Sequence, residues 1–282
     1  MRTVSLIGNG YLGQAYEQMF PEAVVYDEPK ELLKVAGEVQ EWGLEAGRTA
    51  VNSCDVAIIA VPTDYTESGE LDTSIIESVV DWVETDTILI KSALQPGTTD
   101  KLVKKTGKNI AVSVEFIGEG KYWQPPHKYP HPTDPRQHQL LIVGGEEPAR
   151  SIATETLWAR MSPDIRIYLV TALEAEITKM AENTYGALKV TWANVLRDVC
   201  DKYSVNFIRV HQAWSEDGRV DGMHTRSVSD NRGWNSKCYN KDVRAFANIS
   251  DSLMLQGLVT DNDRHLAMND NQDMVGKRDD KL

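Results

Sequence analysis

Three groups of residues have the types and spacing to do chemistry. The first is Gly8-Asn9-Gly10-Tyr11-Leu12-Gly13, which follows the apolar run Thr3–Ile7 and opens a helix-like segment. In that setting a G-x-G-x-x-G turn has a physical purpose. The first glycine permits a tight turn, the second lets a pyrophosphate approach the backbone, the third lets helix pack on strand, and the anion meets the helix N-terminus. Asp27 ends the second apolar run, nineteen residues beyond Gly8. A carboxylate there accepts from a ribose 2′-hydroxyl and repels a 2′-phosphate, which favours NAD over NADP, with Lys30 nearby opposing that preference. The alternative is a glycine turn in some other α/β fold.

The second group lies on a long segment with helical periodicity. Glu176, Lys179, Asn183, Ala187, Val190 and Asn194 follow i, i+3, i+4, i+7 spacing and share one stripe. A lysine and two amides on a packing face need partners. Lys179 has the charge to stabilise a developing alkoxide, and Asn183 the amide to hold a substrate hydroxyl or a water; a solvated face with a Glu176–Lys179 pair is the plain alternative. The third group centres on Cys238 in Lys237-Cys238-Tyr239-Asn240-Lys241-Asp242, at the start of a predicted helix. A helix N-terminus and a neighbouring ammonium both favour the thiolate, the form that acts as a nucleophile; a small buried apolar side chain is the other reading. From Arg226 to Arg244 five basic residues face two acidic ones, a +3 segment in a chain of −12 that would suit an anionic substrate.

The elements that must position these groups follow from the apolar pattern. Short runs at Thr3–Ile7, Ala23–Tyr26, Val56–Val61, Thr87–Ile90, Ile110–Val114 and Leu140–Val143 alternate with longer mixed segments. That rhythm predicts a Rossmann-type, doubly wound parallel sheet, an α/β fold. The segment from Gly120 to Gln139 holds five prolines and reads as a surface loop; its His127, His131 and His138 with Asp134 lack the fixed geometry of a metal site. After the run at Ile165–Val170, the stretch from Ala172 to Lys202 predicts one long helix, the spine of a smaller all-helical domain. The domain limits read as 1–168 and 169–282. A helix over Asn206–Trp214, a polar loop, and one or two helices over Tyr239–Leu266 complete it. The 282 residues, at 41% hydrophobic, support two such cores, and the net charge of −12 argues against a nucleic-acid surface. The longest apolar runs fall far short of the roughly 18 residues of a membrane span. The N-terminus runs straight into a strand without signal-peptide anatomy, so the cytoplasm is the expected location.

Taken in order, these motifs resemble the UDP-glucose/GDP-mannose dehydrogenase family of nucleotide-sugar dehydrogenases. Besides Gly8–Gly13, the chain has Val61-Pro62-Thr63, Lys91-Ser92-Ala93-Leu94-Gln95-Pro96-Gly97-Thr98, Val114-Glu115-Phe116-Ile117-Gly118-Glu119-Gly120, the run from Lys179 to Asn194, and Cys238-Tyr239-Asn240-Lys241-Asp242. The resemblance implies a four-electron oxidation of a sugar C6 alcohol to a carboxylate with two NAD reduced in turn. It places Lys179, Asn183 and Asp242 at the first oxidation, Cys238 as the nucleophile that captures the aldehyde facing the nicotinamide, Glu115 as general base for hydrolysis, and Glu119 in contact with both substrate and cofactor. The cofactor set becomes Gly8, Asn9, Gly10, Tyr11, Leu12, Gly13, Asp27, Lys30, Val61, Pro62, Thr63, Ser92 and Glu119; Arg226, Lys237 and Lys241 are expected at the anionic substrate.

The sequence departs from the family pattern in three places. Ala93 stands where the family has threonine, Trp234-Asn235-Ser236-Lys237 replaces a glycine-rich run, and the chain stops before the usual C-terminal nucleotide-binding domain. Either the basic segment and the Pro-rich loop hold a nucleotide sugar unaided, or another chain completes the site, or the substrate is smaller. The resemblance further implies a homodimer built on the long helix. Two other readings compete: a two-electron β-hydroxyacid dehydrogenase, which needs neither Cys238 nor Glu115, and an inactive NAD-binding module kept for assembly.

Overall fold

A computed structural model describes residues 2–118, 133–227 and 231–269. The expected loop residues His127 and His131, and Glu119, lie outside the described residues. Among the described residues nine strands form one sheet: β1 (Val4–Ile7), β2 (Val24–Asp27), β3 (Leu32–Val35), β4 (Glu38–Val39), β5 (Val56–Ile59), β6 (Thr87–Ile90), β7 (Ile110–Ser113), β8 (Leu140–Gly145) and β9 (Arg166–Val170), in the order β4-β3-β2-β1-β5-β6-β7-β8-β9. Alternation along each central strand sends side chains to opposite faces. Ile7, Ala57, Ile59, Ile88 and Ile90 enter one apolar cluster, while Leu6, Val56, Ile58 and Leu89 enter the other. Helices α2 (Leu44–Asn52), α3 (Ser74–Trp82) and α4 (Thr98–Thr106) close the first face through Val51, Ile76, Val80 and Leu102. Helices α1 (Tyr11–Met19) and α5 (Ala149–Trp158) close the second through Tyr16, Met19, Ala153 and Leu157. The doubly wound α/β class is therefore present.

The sheet is mixed rather than wholly parallel. β2, β1, β5, β6 and β7 run parallel, but β8 is antiparallel to β7, and β3 and β4 add an antiparallel hairpin beside β2. The hairpin turns at Ala36-Gly37, both at positive φ (49° and 80°), the backbone of a two-residue turn that matches strand twist. The apolar runs mark which segments are buried; they carry no information on strand direction.

The chain divides into two compact units, one of residues 2–64 and 72–179, the other of residues 65–71 and from 180 onward. Helix α6 (Ala172–Lys202) runs 31 residues without proline. In the second unit, α7 (Phe207–Ser215), α8 (Lys237–Ser250) and α9 (Leu253–Ala267) begin at Asn206, Ser236 and Ser252, whose side chains accept from Arg209 N, Tyr239 N and Leu255 N. Each cap satisfies an otherwise orphaned donor. The core here is Ala187, Trp234, Val243, Ala247, Leu255 and Leu258. Gly186 on α6 lets Tyr239 approach closely: a Cβ there would lie 2.2 Å from the Tyr239 hydroxyl, and the ring would have to move.

Glu176, at the start of α6, pairs with no lysine as the spacing alone allowed. Its carboxylate accepts from Gly97 N, Thr99 N and Thr99 Oγ1 at 2.5, 2.8 and 2.7 Å, capping α4, which has no cap from its own Gly97. Burial pushes this carboxyl above its ordinary range, against those hydrogen bonds. Glu176→Ala strips the cap and leaves buried donors unsatisfied. The expected cost is about 2 kcal/mol in urea unfolding; a change within about 0.5 kcal/mol, the usual size for surface substitutions, would contradict this role.

Candidate functional site: a dinucleotide turn and a cysteine at a helix start

The first unit builds the dinucleotide turn from the edges of β1, β2 and β5. Gly8 sits at φ +96°, and a Cβ there would meet the Ala60 carbonyl oxygen at 2.4 Å; a Cβ on Gly13 would meet the Gly8 carbonyl at 2.0 Å. Gly10 is different. Apart from its chain neighbours, no atom of the described residues lies within 4 Å of where its Cβ would be, so among the described residues the space above the second glycine is open. Gly10 is also the N-cap of α1, where no side chain caps the helix and no acidic residue stands in the first turn. Backbone N–H groups and the positive end of the helix dipole are thus presented to an anion, as a dinucleotide's pyrophosphate requires.

Asp27 is buried and ties the turn together, accepting from Asn9 N at 2.7 Å and Lys30 N at 3.1 Å. Lys30 Nζ donates to the Asn9 carbonyl and lies 3.9 Å from Asp27. The side chain of Asn9 donates to Glu17. Tyr11 is exposed and Leu12 half-buried at the mouth of α1. Val61-Pro62-Thr63 and Ser92 are joined across the ends of β5 and β6, since Ser92 Oγ donates to the Val61 carbonyl and Thr63 Oγ1 to the Ala93 carbonyl, at 2.6 and 2.8 Å. The residues present fit NAD on the glycine turn.

Glu115, just after β7, is buried and saturated. Oε1 accepts from Phe116 N and Ile117 N, both at 2.7 Å; Oε2 accepts from the Tyr16 hydroxyl at 2.8 Å and faces Lys91 Nζ at 3.1 Å. Burial alone would raise this carboxyl, but Lys91, then His138, the Ile117 N–H and Tyr16 outweigh it and hold Glu115 below the usual range. A carboxylate with all four acceptor positions engaged has little capacity to take a proton from water. That placement suits a fixed anion better than the general base expected from the family pattern. The Glu115 main-chain carbonyl in turn accepts from Lys179 Nζ.

In the second unit, Asn183 Nδ2 donates to Asp242 Oδ2 at 2.6 Å, and Lys241 Nζ reaches Asp242 Oδ1 at 2.7 Å. Asp242 is almost fully buried, so both contacts offset the loss of its hydration. Cys238 is the second residue of α8, half-exposed and outside the apolar core. The bulky Trp234 of the altered pre-cysteine loop turns inward, its Nε1 donating to Thr191 Oγ1 at 3.0 Å. Arg226 and Lys237 are exposed.

The rest of the basic segment is consumed in ion pairs, which reduces the charge expected for an anionic substrate. Lys241 pairs with Asp242, Arg244 with Asp263, and buried Arg232 with Asp198. Arg232 also donates to Asn194 Oδ1, which explains that amide on the polar stripe. Burial would raise Asp198, but hydrogen bonds from Arg232, Arg264 and His265 hold it at about 2. Because the folded value lies below the unfolded one, this contribution to stability is present above about pH 4 and disappears as pH falls toward 2. Asp198→Asn is expected to flatten the unfolding midpoint across that window; an unchanged slope would contradict the bracing role.

The placement of Tyr16 and His138 around Glu115, and the use of Lys91 there, are not legible in the sequence. A lysine ending the apolar run Ile88-Leu89-Ile90 was the available signal. Among the described residues, no helix is long and apolar enough to cross a membrane, and no group of His, Cys, Asp and Glu could hold a metal ion.

Comparison with known proteins supplies the family. Residues 22–161 match the NAD binding domain, and residues 173–269 the central domain, of the UDP-glucose/GDP-mannose dehydrogenase family. UDP-glucose 6-dehydrogenase of Rickettsia typhi is 26% identical over 212 residues, covering 71% of this chain and 46% of that protein. UDP-N-acetyl-D-mannosamine dehydrogenase of Methanocaldococcus jannaschii is 28% identical over 180 residues, covering 61% and 40%. The chain therefore spans about half the length of the curated relatives it matches. The structure of a UDP-glucose dehydrogenase from Pyrobaculum islandicum superposes with a TM-score of 0.76 at 23% identity, over 95% of this chain and 69% of that one, a likeness of fold. With the NAD-binding domain and the central domain both matched, and in that order, the chain belongs to the UDP-glucose/GDP-mannose dehydrogenase family, whose members are NAD-dependent nucleotide-sugar dehydrogenases.

Proposed function

We propose that the protein oxidises the C6 alcohol of a UDP-glucose-like nucleotide sugar to the carboxylate, a four-electron reaction completed without release of the aldehyde. The observation that carries this reading is Cys238 at the second position of α8, on the same helix as the Asp242 carboxylate that holds Asn183. A two-electron dehydrogenase has no use for such a thiol. NAD would be held by Gly8–Gly13, Asp27 and the Val61–Thr63 and Ser92 loops, and would accept the hydride of each oxidation, two NAD being reduced in turn for each acid formed.

In this reading, the C6 hydroxyl gives its proton to a bound water, Lys179 stabilises the alkoxide that forms, and Asn183, oriented by Asp242, holds that oxygen as hydride leaves C6 to give the aldehyde. The helix N-terminus favours Cys238 as thiolate. Its sulfur bonds to the aldehyde carbon while the carbonyl oxygen takes a proton from water, giving a thiohemiacetal; loss of hydride from the same carbon and of the hydroxyl proton to water gives the thioester. Water then adds, the C–S bond breaks, and the acid leaves as the thiol is restored. Glu115 serves as a fixed anion whose main-chain carbonyl receives Lys179. Lys237 and Arg226, the exposed cations of the basic segment, meet the substrate's phosphates. A panel of UDP-glucose, GDP-mannose and UDP-N-acetylmannosamine with NAD tests the proposal. NADH formation with at least one is expected, whereas NAD binding without reduction on any would favour the inactive module.

We also propose a homodimer through α6. Tyr185, Trp192 and Val199 recur at seven-residue spacing on it and are 59%, 50% and 47% exposed, an apolar seam suited to a second helix. Trp192→Glu is expected to halve the mass measured by light scattering while leaving the circular dichroism spectrum intact; a wild-type monomer would contradict this assembly.

A further inference from the structure

The cluster around Glu115 is more elaborate than holding one carboxylate requires. Lys91 Nζ has three N–H groups and three acceptors: Ser113 Oγ at 3.0 Å, the Val114 carbonyl at 3.1 Å and Glu115 Oε2 at 3.1 Å. It also lies 5.3 Å from the centre of the Tyr16 ring, whose hydroxyl donates to the same Glu115 oxygen. Tyr16 comes from α1, the helix that opens at the glycine turn, Lys91 from the end of β6, and Glu115 from the end of β7. Lys91, Tyr16 and His138 are all nearly inaccessible, and the His138 ring stands edge-on to Phe116 at 5.8 Å. Residues 113–117 are thereby pinned at side chain and backbone alike, and the free face of the Glu115 peptide, its carbonyl, receives Lys179 Nζ.

We propose that Lys91 and Tyr16 are positioning residues for Lys179: by locking the Glu115 carboxylate they fix the Glu115 carbonyl, and that carbonyl sets where the Lys179 ammonium stands. The inference rests on the proposed role of Lys179 at the first oxidation only for its functional consequence. The lock itself is a property of the first unit and can be read without turnover. Among the described residues, the titratable and charged groups facing Glu115 are Lys91 from the end of β6, His138 from the turn at Pro135–Gln137 and, through the main chain, Lys179 from α6, with the Tyr16 hydroxyl from α1.

Competitive acetylation of the full-length protein, read by mass spectrometry, tests the lock. The rate at Lys179 is normalised to exposed Lys101 and compared among wild type, Tyr16→Phe, Lys91→Met and Lys91→Arg. Tyr16→Phe and Lys91→Met are expected to raise Lys179 labelling severalfold, with Lys91→Arg near wild type; equal labelling in all four overturns the proposal. Tyr16→Phe removes a single oxygen and guards against a Lys91→Met that fails to fold. Where a sugar is turned over, Tyr16→Phe should lower kcat about tenfold or more, because a small misplacement of a catalytic group is costly, with the sugar KM and NAD affinity unchanged. A loss confined to KM or to NAD binding would count against the proposal. A wild type that oxidises no sugar fails the functional reading alone, since the acetylation pattern still decides the lock.

Discussion

Replacing Cys238 by serine is expected to stop the proposed reaction before the acid. The hydroxyl of serine is a far weaker nucleophile than a thiolate at neutral pH, so the aldehyde is not captured and acid formation falls on the order of 10³-fold or more. The fold should be unaffected. Cys238 lies outside the apolar core, and the Ser236 side chain that caps α8 is untouched. Thermal unfolding and NAD binding of Cys238→Ser are expected at wild-type values while chromatography detects no uronic acid. Wild-type product formation by Cys238→Ser would point instead to ordinary two-electron alcohol oxidation.

The second large effect separates the two roles played by glycine in the turn. Gly8→Ala places a Cβ 2.4 Å from the Ala60 carbonyl in a backbone at φ +96°, where side chains are strained. The neighbouring bonds, Gly8 N to Tyr26 O and Ala60 N to Ile7 O, both 2.8 Å, hold β1 against its partners, so the clash cannot be relieved locally. The cost is about 3 kcal/mol, and NAD binding is lost with it. Gly10→Ala meets no atom of the described residues within 4 Å beyond its chain neighbours and is expected to leave stability unchanged. Its methyl instead occupies the space assigned to the pyrophosphate and weakens NAD by about tenfold or more, at least 1.4 kcal/mol. Urea unfolding and NAD titration calorimetry on the pair provide the check. A Gly10→Ala protein that binds NAD like wild type would remove the pyrophosphate from this turn.

The legible parts of the fold are those where sequence pattern and burial coincide. Val56-Ala57-Ile58-Ile59 reads as a strand because both faces are covered, and the stretch from Ala172 to Lys202 reads as one helix because its periodicity is unbroken. The hairpin of β3 and β4 was not legible. Leu32-Leu33-Lys34-Val35 is short and half-exposed, and its partner has two residues. The reversal of β8 against β7 leaves no trace in composition.

The site shows the same division. The glycine turn, Asp27 and the thiol at a helix start are local signals with local causes. Glu176 capping α4 joins residues 77 apart, and Arg232 bracing Asn194 and Asp198 joins residues 38 and 34 apart. Such pairings are set by tertiary packing, which one sequence does not reveal. For that reason a basic segment that looks free to meet an anion becomes, in the folded chain, largely a set of internal ion pairs.

The most direct test of the central claim, that one protein takes an alcohol through to an acid on a cysteine, is the ratio of NADH formed to uronic acid released in a single reaction with a turned-over nucleotide sugar. The account predicts two NADH for each acid and no free aldehyde trapped by an added amine. One NADH for each product, with the aldehyde or ketone recovered, would contradict it.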